Sequence, residues 1–310
     1  MKDVILNVKK NLRPLGVSGR SDFSAMEKEY FRFYGLDFSG GGLEHIFGSF
    51  RSGRYNLAGH IYKPARYIGA VFLLHGYFNH MGQLSKLTGH LLGNGFAVAL
   101  FDLPGHGLSS GRGGEINGFR QYSLALVDFS DIVRSNLDSP YHFIGHSTGA
   151  SAYLDYALKT GDDIFDRVIL ASPLVHCSGW NQTKISYNQK VRFFKKVPRV
   201  FRQSSSDPDF LEFVKNKDPL QSRAVPLKWV RALHKWNEEI LNLPSCEKGI
   251  KIIQGASDKT VDWKYNIKFL KSKFSDIDIC LLKKARHELF NESREIRNEV
   301  FSRIIDYLEG

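Results

Sequence analysis

Apolar residues fall along the chain in short solid runs separated by longer stretches of helical spacing. Ala70–Leu74 and Phe96–Phe101 are continuous apolar runs of strand length, the second within a strand expected over Phe96–Leu103. Tyr141–Ile144, Arg167–Ala171, Ile250–Gln254 and Ile277–Leu282 are further short, mostly apolar strands. Runs of that length bounded by turn residues are the signature of strands buried on both faces. Between them lie stretches with apolar residues three and four apart, at Leu84–Leu92, Phe119–Leu137, Thr148–Lys159, Trp263–Phe274 and Ser293–Leu308. Strands alternating with helices predict an α/β fold with a mostly parallel sheet covered on both faces. Leu43–Phe50 and Tyr55–Tyr62, joined by Arg51-Ser52-Gly53-Arg54, predict a hairpin that adds antiparallel strands at one edge, for eight strands in all. A polar arm precedes a short helix at Ser24–Tyr34, and Gly40-Gly41-Gly42 then breaks the chain.

The alternation fails between His176 and Glu247, where prolines, aromatics and one helical patch, Leu227–Leu241, replace it. The organisation expected is a core in two parts, 1–175 and 248–310, with an inserted cap at 176–247. Charge sharpens this division. Lys plus Arg number 43 and Asp plus Glu 32, a net +11. From His176 to Lys248 there are 14 basic and 7 acidic residues, so +7 of the +11 lies in that segment. Lys184 to Arg202 is basic without a single acid and carries Phe193, Phe194, Val197, Val200 and Phe201. Two readings fit: aromatics facing the core under solvated cations, which is favoured, or a cationic amphipathic surface for anionic lipid. No nucleic-acid recognition module accompanies the charge.

No apolar run approaches the ~18 residues of a membrane span, and Met1–Gly16 lacks the apolar stretch of a secretion signal. Cys177, Cys246 and Cys280 are widely spaced, with no pair at metal-ligand spacing. Three unpaired thiols suit a reducing, cytoplasmic compartment. No metal or organic cofactor is expected.

The pattern Gly-x-Ser-x-Gly occurs twice, at Gly145–Gly149 and Gly107–Gly111. A nucleophile at a sharp turn needs a strand entering and a helix leaving. Ser147 has both; Ser109 has loop on each side and reads as a turn hydroxyl. A serine hydroxyl needs a base, and the base a third group that fixes its tautomer. Among eleven histidines, only His234 and His287 follow Ser147 by enough to have passed further strands. His234 lies in the insertion, whereas His287 follows the last strand, so His287 is the candidate base. The loop after Ile250–Gln254 offers Asp258 as the acid, with Asp262 the alternative, although Asp262 stands where a helix N-cap is needed. The backbone amides of Thr148 and Tyr77 are the candidate oxyanion donors. His75, His80 and His106 read as residues that fix loops. Phe78, His146 and Val175 are expected to border the substrate pocket.

His75-Gly76, the run from Phe101 to Ser109, Gly145-His146-Ser147-Thr148-Gly149, Gly255 to Asp258 and His287-Glu288 stand in a characteristic order. Through them the chain resembles α/β-hydrolases of the lysophospholipase and monoacylglycerol lipase-like group, over about residues 60 to 290. The resemblance implies the α/β-hydrolase fold and a cap over the site. It carries the triad onto Ser147, Asp258 and His287. It also implies hydrolysis of carboxylic, lipid-like acyl esters through an acyl-serine, with a small-molecule or lipid ester as substrate. The alternatives are a short-chain carboxylesterase, a thioesterase or amidase on the same triad, or a ligand-binding protein that has kept the pocket. Thr148 and Ala150 depart from the Met and last Gly that many relatives carry at the elbow, and neither change removes the backbone donor.

Overall fold

The computed structural model describes residues 1–16, 22–162, 164–191 and 193–310. Part of the N-terminal arm, 17–21, and Arg192 of the basic stretch therefore lie outside the described residues.

In chain order the elements begin with α1 (Lys2–Lys10), α2 (Ala25–Tyr34), β1 (Glu44–Ser52), β2 (Tyr55–Lys63) and β3 (Ala70–Leu74). They continue with α3 (Ser85–Gly93), β4 (Ala97–Phe101), α4 (Arg120–Arg134), β5 (Tyr141–His146), α5 (Thr148–Thr160) and β6 (Arg167–Ala171). The inserted segment holds α6 (Trp180–Lys190), β7 (Lys196–Pro198), α7 (Pro208–Glu212), β8 (Ala224–Pro226) and α8 (Leu227–Leu241). The chain closes with β9 (Ile250–Gly255), α9 (Trp263–Lys273), β10 (Ile277–Leu282) and α10 (Arg294–Glu309).

Eight strands form one sheet in the order β1-β2-β4-β3-β5-β6-β9-β10. The six from β4 to β10 are parallel, and β2 pairs antiparallel with both β1 and β4. The apolar runs are continuous because both faces of each strand are buried. Phe72 and Leu74 of β3 join one core cluster with α4 and α5; Val71 and Leu73 join the other with α3 and α10. The chain leaves β3 to one side, forms β4, and crosses back to β5 on the other side. The C-terminal ends of β3 and β5 thus flank the crevice where such sheets bind ligands.

The stretch read as a polar arm contains α1. Its Val4, Ile5 and Val8 are buried, and Lys9 Nζ donates to the Ser109 carbonyl at 2.7 Å. Three apolar residues on one face suffice for a nine-residue helix docked on a finished surface. Helix α2 begins at Ser24 with a reciprocal cap: Glu27 N–H donates to Ser24 Oγ (3.2 Å), and Ser24 N–H to Glu27 Oε2 (2.7 Å).

The inserted segment leaves the sheet after β6 and returns at β9. It contains a small antiparallel pair, β7 with β8, that the sequence pattern does not announce. Helix α8 is pinned to the core: Trp236 stacks on Phe119 with centroids 4.5 Å apart and donates from Nε1 to Asp155 Oδ1 at 3.1 Å. The favoured reading is corrected for three of the five apolar residues named between Lys184 and Arg202; Val197 and Phe201 are half-buried and face inward. Phe193 is 79% exposed, Phe194 57% and Val200 76%, so these three face outward. They follow α6 in a stretch too irregular to present one buried face.

Candidate active site

Ser147 stands between the end of β5 and the first turn of α5, with φ 52° and ψ −111°. A non-glycine residue there is strained, and two glycines make the turn fit. A Cβ on Gly145 would lie 2.7 Å from the Phe143 ring and 2.8 Å from the Ala150 nitrogen. On Gly149 it would lie 2.4 Å from the Leu74 carbonyl oxygen. The elbow is held further by Ser147 N–H donating to the Ala171 carbonyl at 2.9 Å.

The loop after β10 brings His287 over this turn. His287 Nε2 is 3.1 Å from Ser147 Oγ, and Nδ1 is 2.8 Å from Asp258 Oδ2. Asp258 lies in the loop after β9, where its Oδ1 accepts from the amides of Thr260 (2.7 Å) and Val261 (3.2 Å), and Oδ2 accepts from Gln254 Nε2 (3.2 Å). The three residues come from the C-terminal ends of β5, β9 and β10 and are all buried. Burial alone would raise the Asp258 pKa. The facing His287 and the hydrogen bonds outweigh it and hold the carboxyl below its ordinary value. Burial likewise opposes charge on His287, but Asp258 prevails and the imidazole pKa is raised.

The alternatives separate cleanly. Asp262 caps α9, its Oδ1 accepting from Tyr265 N–H at 3.2 Å. His234 packs edge-on against Trp180 and Tyr187 in the inserted segment. Ser109 spans backbone, its Oγ donating to the Asp102 carbonyl (2.6 Å) and accepting from Ala58 N–H (2.9 Å). His75 Nε2 accepts from Leu103 N–H (3.0 Å), which leaves Nδ1 to donate to the Gly76 carbonyl (2.7 Å). Burial lowers the pKa of both His75 and His106. His80 instead pairs with Asp218 of the inserted segment at 2.8 Å.

Tyr77 and Thr148 meet at the crevice. A Cβ on Gly76 would lie 2.8 Å from His146 Nδ1 and 3.1 Å from Ser147 Cβ, so the loop after β3 runs against the elbow. The next amide, that of Tyr77, has no acceptor among the described residues. Thr148 opens α5, where an N–H has no intrahelical partner. The Tyr77 ring stacks on Trp229 of α8, centroids 3.9 Å apart.

A cavity of about 730 Å³ opens over Ser147 and His287, with Tyr77, Phe78, Leu174, Phe201, Trp229 and Val230 among its lining. Phe78 is in the lining, but His146 and Val175 are not. Their assignment to the pocket is corrected. His146 is buried beneath the loop, Nε2 bonded to the His287 carbonyl at 2.9 Å. Val175 belongs to the core, and its carbonyl accepts from Asn237 Nδ2 at 2.9 Å.

Sequence reasoning missed Glu288 and Arg199, both in the lining. Glu288 Oε2 accepts from Asn79 Nδ2 at 2.9 Å, and its amide donates to the Ser204 carbonyl at 2.9 Å, tying the His287 loop to the inserted segment. Adjacency to His287 was the available signal. All three cysteines are free thiols, and no group of three metal-ligating side chains occurs among the described residues. No helix there is long and apolar enough to cross a membrane.

An eight-stranded, mostly parallel sheet with a serine elbow at its switch point and a histidine–aspartate pair above it is the α/β-hydrolase fold with a serine-hydrolase site. The family model described as serine aminopeptidase, S33 matches residues 65–294, and the chain belongs to that family. It is similar to the phospholipase YtpA of Bacillus subtilis, 25% identical over 260 residues that cover 77% of this chain and 95% of that one. It is also similar to a monoglyceride lipase homolog of monkeypox virus, 24% identical over 250 residues, 78% of this chain and 90% of that one. The fold is similar to that of a soluble variant of monoglyceride lipase from Saccharomyces cerevisiae solved with a substrate analog. There the TM-score is 0.71 at 20% identity, covering 84% of this chain and 94% of that chain.

Proposed function

We propose that the protein hydrolyses carboxylic esters of lipid-like acyl groups through an acyl-serine intermediate. The observation that carries this reading is the contact chain Ser147–His287–Asp258 at the floor of a largely apolar cavity. Ser147 Oγ attacks the ester carbonyl carbon while His287 Nε2 takes its proton. The carbonyl π electrons move to oxygen, where the Tyr77 and Thr148 amides donate to the oxyanion. Collapse expels the alkoxide, which leaves as alcohol with the proton from His287. Water then attacks the acyl carbon with His287 as base, releasing the acid and restoring Ser147. Asp258 fixes the tautomer that directs Nε2 at Ser147 and stabilises the imidazolium. Residues 176–247 serve as the cap, dividing the core into 1–175 and 248–310. The relatives' names, phospholipase and monoglyceride lipase, support an acylated glycerol as the substrate class.

A peripheral contact with anionic membrane through the cap stretch Lys184 to Arg202 belongs to the same reading. It is favoured by outward-facing Phe193, Phe194 and Val200 beside the exposed Lys195 and Lys196. The setting proposed is cytoplasmic, in keeping with three free thiols.

The test is hydrolysis of p-nitrophenyl esters from acetate to palmitate, with Ser147→Ala as blank. Ser147-dependent activity that rises toward medium or long acyl chains is expected. A maximum at acetate would make the protein a short-chain carboxylesterase and remove the lipid assignment.

A further inference from the structure

The cavity wall carries a cation whose surroundings are set for an anion. Arg199 follows β7 directly, and its backbone N–H donates to the Arg223 carbonyl at 2.9 Å, extending the β7–β8 pair. Its guanidinium carbon lies 4.0 Å from the Phe78 ring centroid and 4.5 Å from that of Phe201. Both rings line the same cavity as Ser147 and His287. One nitrogen, Nη1, is held by Gln221 Oε1 at 2.5 Å and the Ser222 carbonyl at 3.4 Å. Nε and Nη2 have no hydrogen-bond partner, and Arg199 no ion pair, among the described residues.

A partly buried guanidinium placed this way is fixed in orientation by two aromatic faces and two neutral oxygens, with donors left over. Burial pushes its pKa down to about 10, opposed by the more distant charges of Glu288 and Asp218, so it stays a cation at neutral pH. Both carboxylates are occupied, Glu288 by Asn79 and Asp218 by His80, Gln83, Gln221 and Tyr34. The other charged lining residues are Arg202, Lys215 and Glu212, and Glu212 accepts from Asn216. A neutral ester has no use for a free planar fork of N–H donors in an apolar wall. A phosphate oxygen pair matches it.

We propose that Arg199 is an anion subsite that binds a phosphate carried on the alcohol portion of the ester, so that the substrate class is an acylated glycerol phosphate. The assignment rests on the ester-hydrolase reading of the Ser147 site. Phe78 then has two tasks, bordering the acyl carbon's approach and holding the guanidinium flat. Arg223, 5.5 Å from the far partner ring Phe201, adds positive potential behind it.

The test compares kcat/KM for a monoacylglycerol and for its 3-phosphate with the same acyl chain, in wild type, Arg199→Met and Arg199→Lys. The wild type is expected to favour the phosphorylated ester by about 10- to 100-fold, the range of a charge-assisted hydrogen-bonded contact. Arg199→Met should bring the ratio near one, and Arg199→Lys should keep part of it. An equal ratio in wild type and Arg199→Met, or a wild type that favours the neutral ester, overturns the subsite. Competition against neutral-ester hydrolysis by the wild type needs no variant to fold. Glycerol 3-phosphate competing more strongly than inorganic phosphate supports a headgroup subsite. Equal competition, or none, overturns it. Ser147-dependent hydrolysis of the neutral ester without phosphate preference removes the subsite and leaves the ester reading; no Ser147-dependent hydrolysis of either ester removes both.

Discussion

His287 Nε2 stands 3.1 Å from Ser147 Oγ although the two residues are 140 positions apart in sequence. Two adjacent features make the approach possible. The His287 carbonyl is held by His146, the residue before Ser147, and the Glu288 amide by Ser204. His287 is therefore fixed from the sheet side and from the inserted segment together.

Ser147→Ala should lower ester hydrolysis by at least about 10³-fold, because the remaining oxyanion donors cannot replace the nucleophile. Circular dichroism and melting temperature should stay close to wild type, since among the described residues the Ser147 hydroxyl bonds only to His287.

The pH profile should carry an acidic limb set by His287, whose neutral form is the base in the proposed mechanism. Its pKa is raised above the ordinary 6.5 through Asp258, so kcat/KM should fall as pH drops through a value above 6.5. Asp258→Asn removes that influence. The limb should move to lower pH, and the plateau should drop by about 10⁴-fold with loss of the correct tautomer. A limb that does not move in the variant would assign it to another group.

Gly149→Ala and Gly93→Ala should differ in sign. A Cβ at Gly149 meets the Leu74 carbonyl at 2.4 Å, backbone that cannot step aside, and about 1–3 kcal/mol of stability should be lost. At Gly93, in α3, a Cβ meets nothing within 4 Å, and alanine should be neutral or stabilising by about 0.5–1 kcal/mol. Chemical denaturation of both variants checks the pair.

Asp218 anchors the inserted segment to the core through His80, Gln83 and Tyr34. Burial would raise its pKa, but His80 and the other donors hold it well below the ordinary carboxylate value. The stability this contributes is present above the unfolded carboxylate pKa and fades as pH falls through the folded one. The raised pKa of His80 adds stability that is present below 6.5 and lost as pH rises through the folded value. Asp218→Ala should cost about 2–4 kcal/mol at pH 6, measured by denaturant unfolding, and the loss should be smaller at pH 9.

Double substitution of Phe193 and Phe194 by serine should weaken binding to anionic vesicles while sparing hydrolysis of a soluble ester. Binding by the wild type should fall as salt rises. Failure of the wild type to co-float with anionic vesicles at low salt would remove the membrane contact.

Much of the site was legible because its chemistry constrains several neighbours at once. Ser147 was separable from Ser109 since only Ser147 is entered by a strand and left by a helix; the glycines flanking both serines are crowded and do not discriminate. Asp258 was separable from Asp262 by position, and the structure supplies the reason: one faces His287, the other caps α9. Val175 and His146 were misplaced because chain neighbours of a site residue point away from it as readily as toward it. Arg199 was invisible because its position depends on β7 and β8, strands of three residues, pairing across the inserted segment. Helix α1 was missed because its apolar face is only Val4, Ile5 and Val8. The outward Phe193 and Phe194 could not be told from core aromatics, since their stretch has no period to assign a face.

The most direct measurement is labelling by a fluorophosphonate, which phosphonylates only an activated serine, followed by intact mass and peptide mapping. One adduct per chain on the peptide containing Ser147, lost in Ser147→Ala and slowed at least about 10³-fold in His287→Ala, is the expected result. An unlabelled wild type, or an adduct on another serine that persists in Ser147→Ala, would contradict the assignment of Ser147 as the nucleophile.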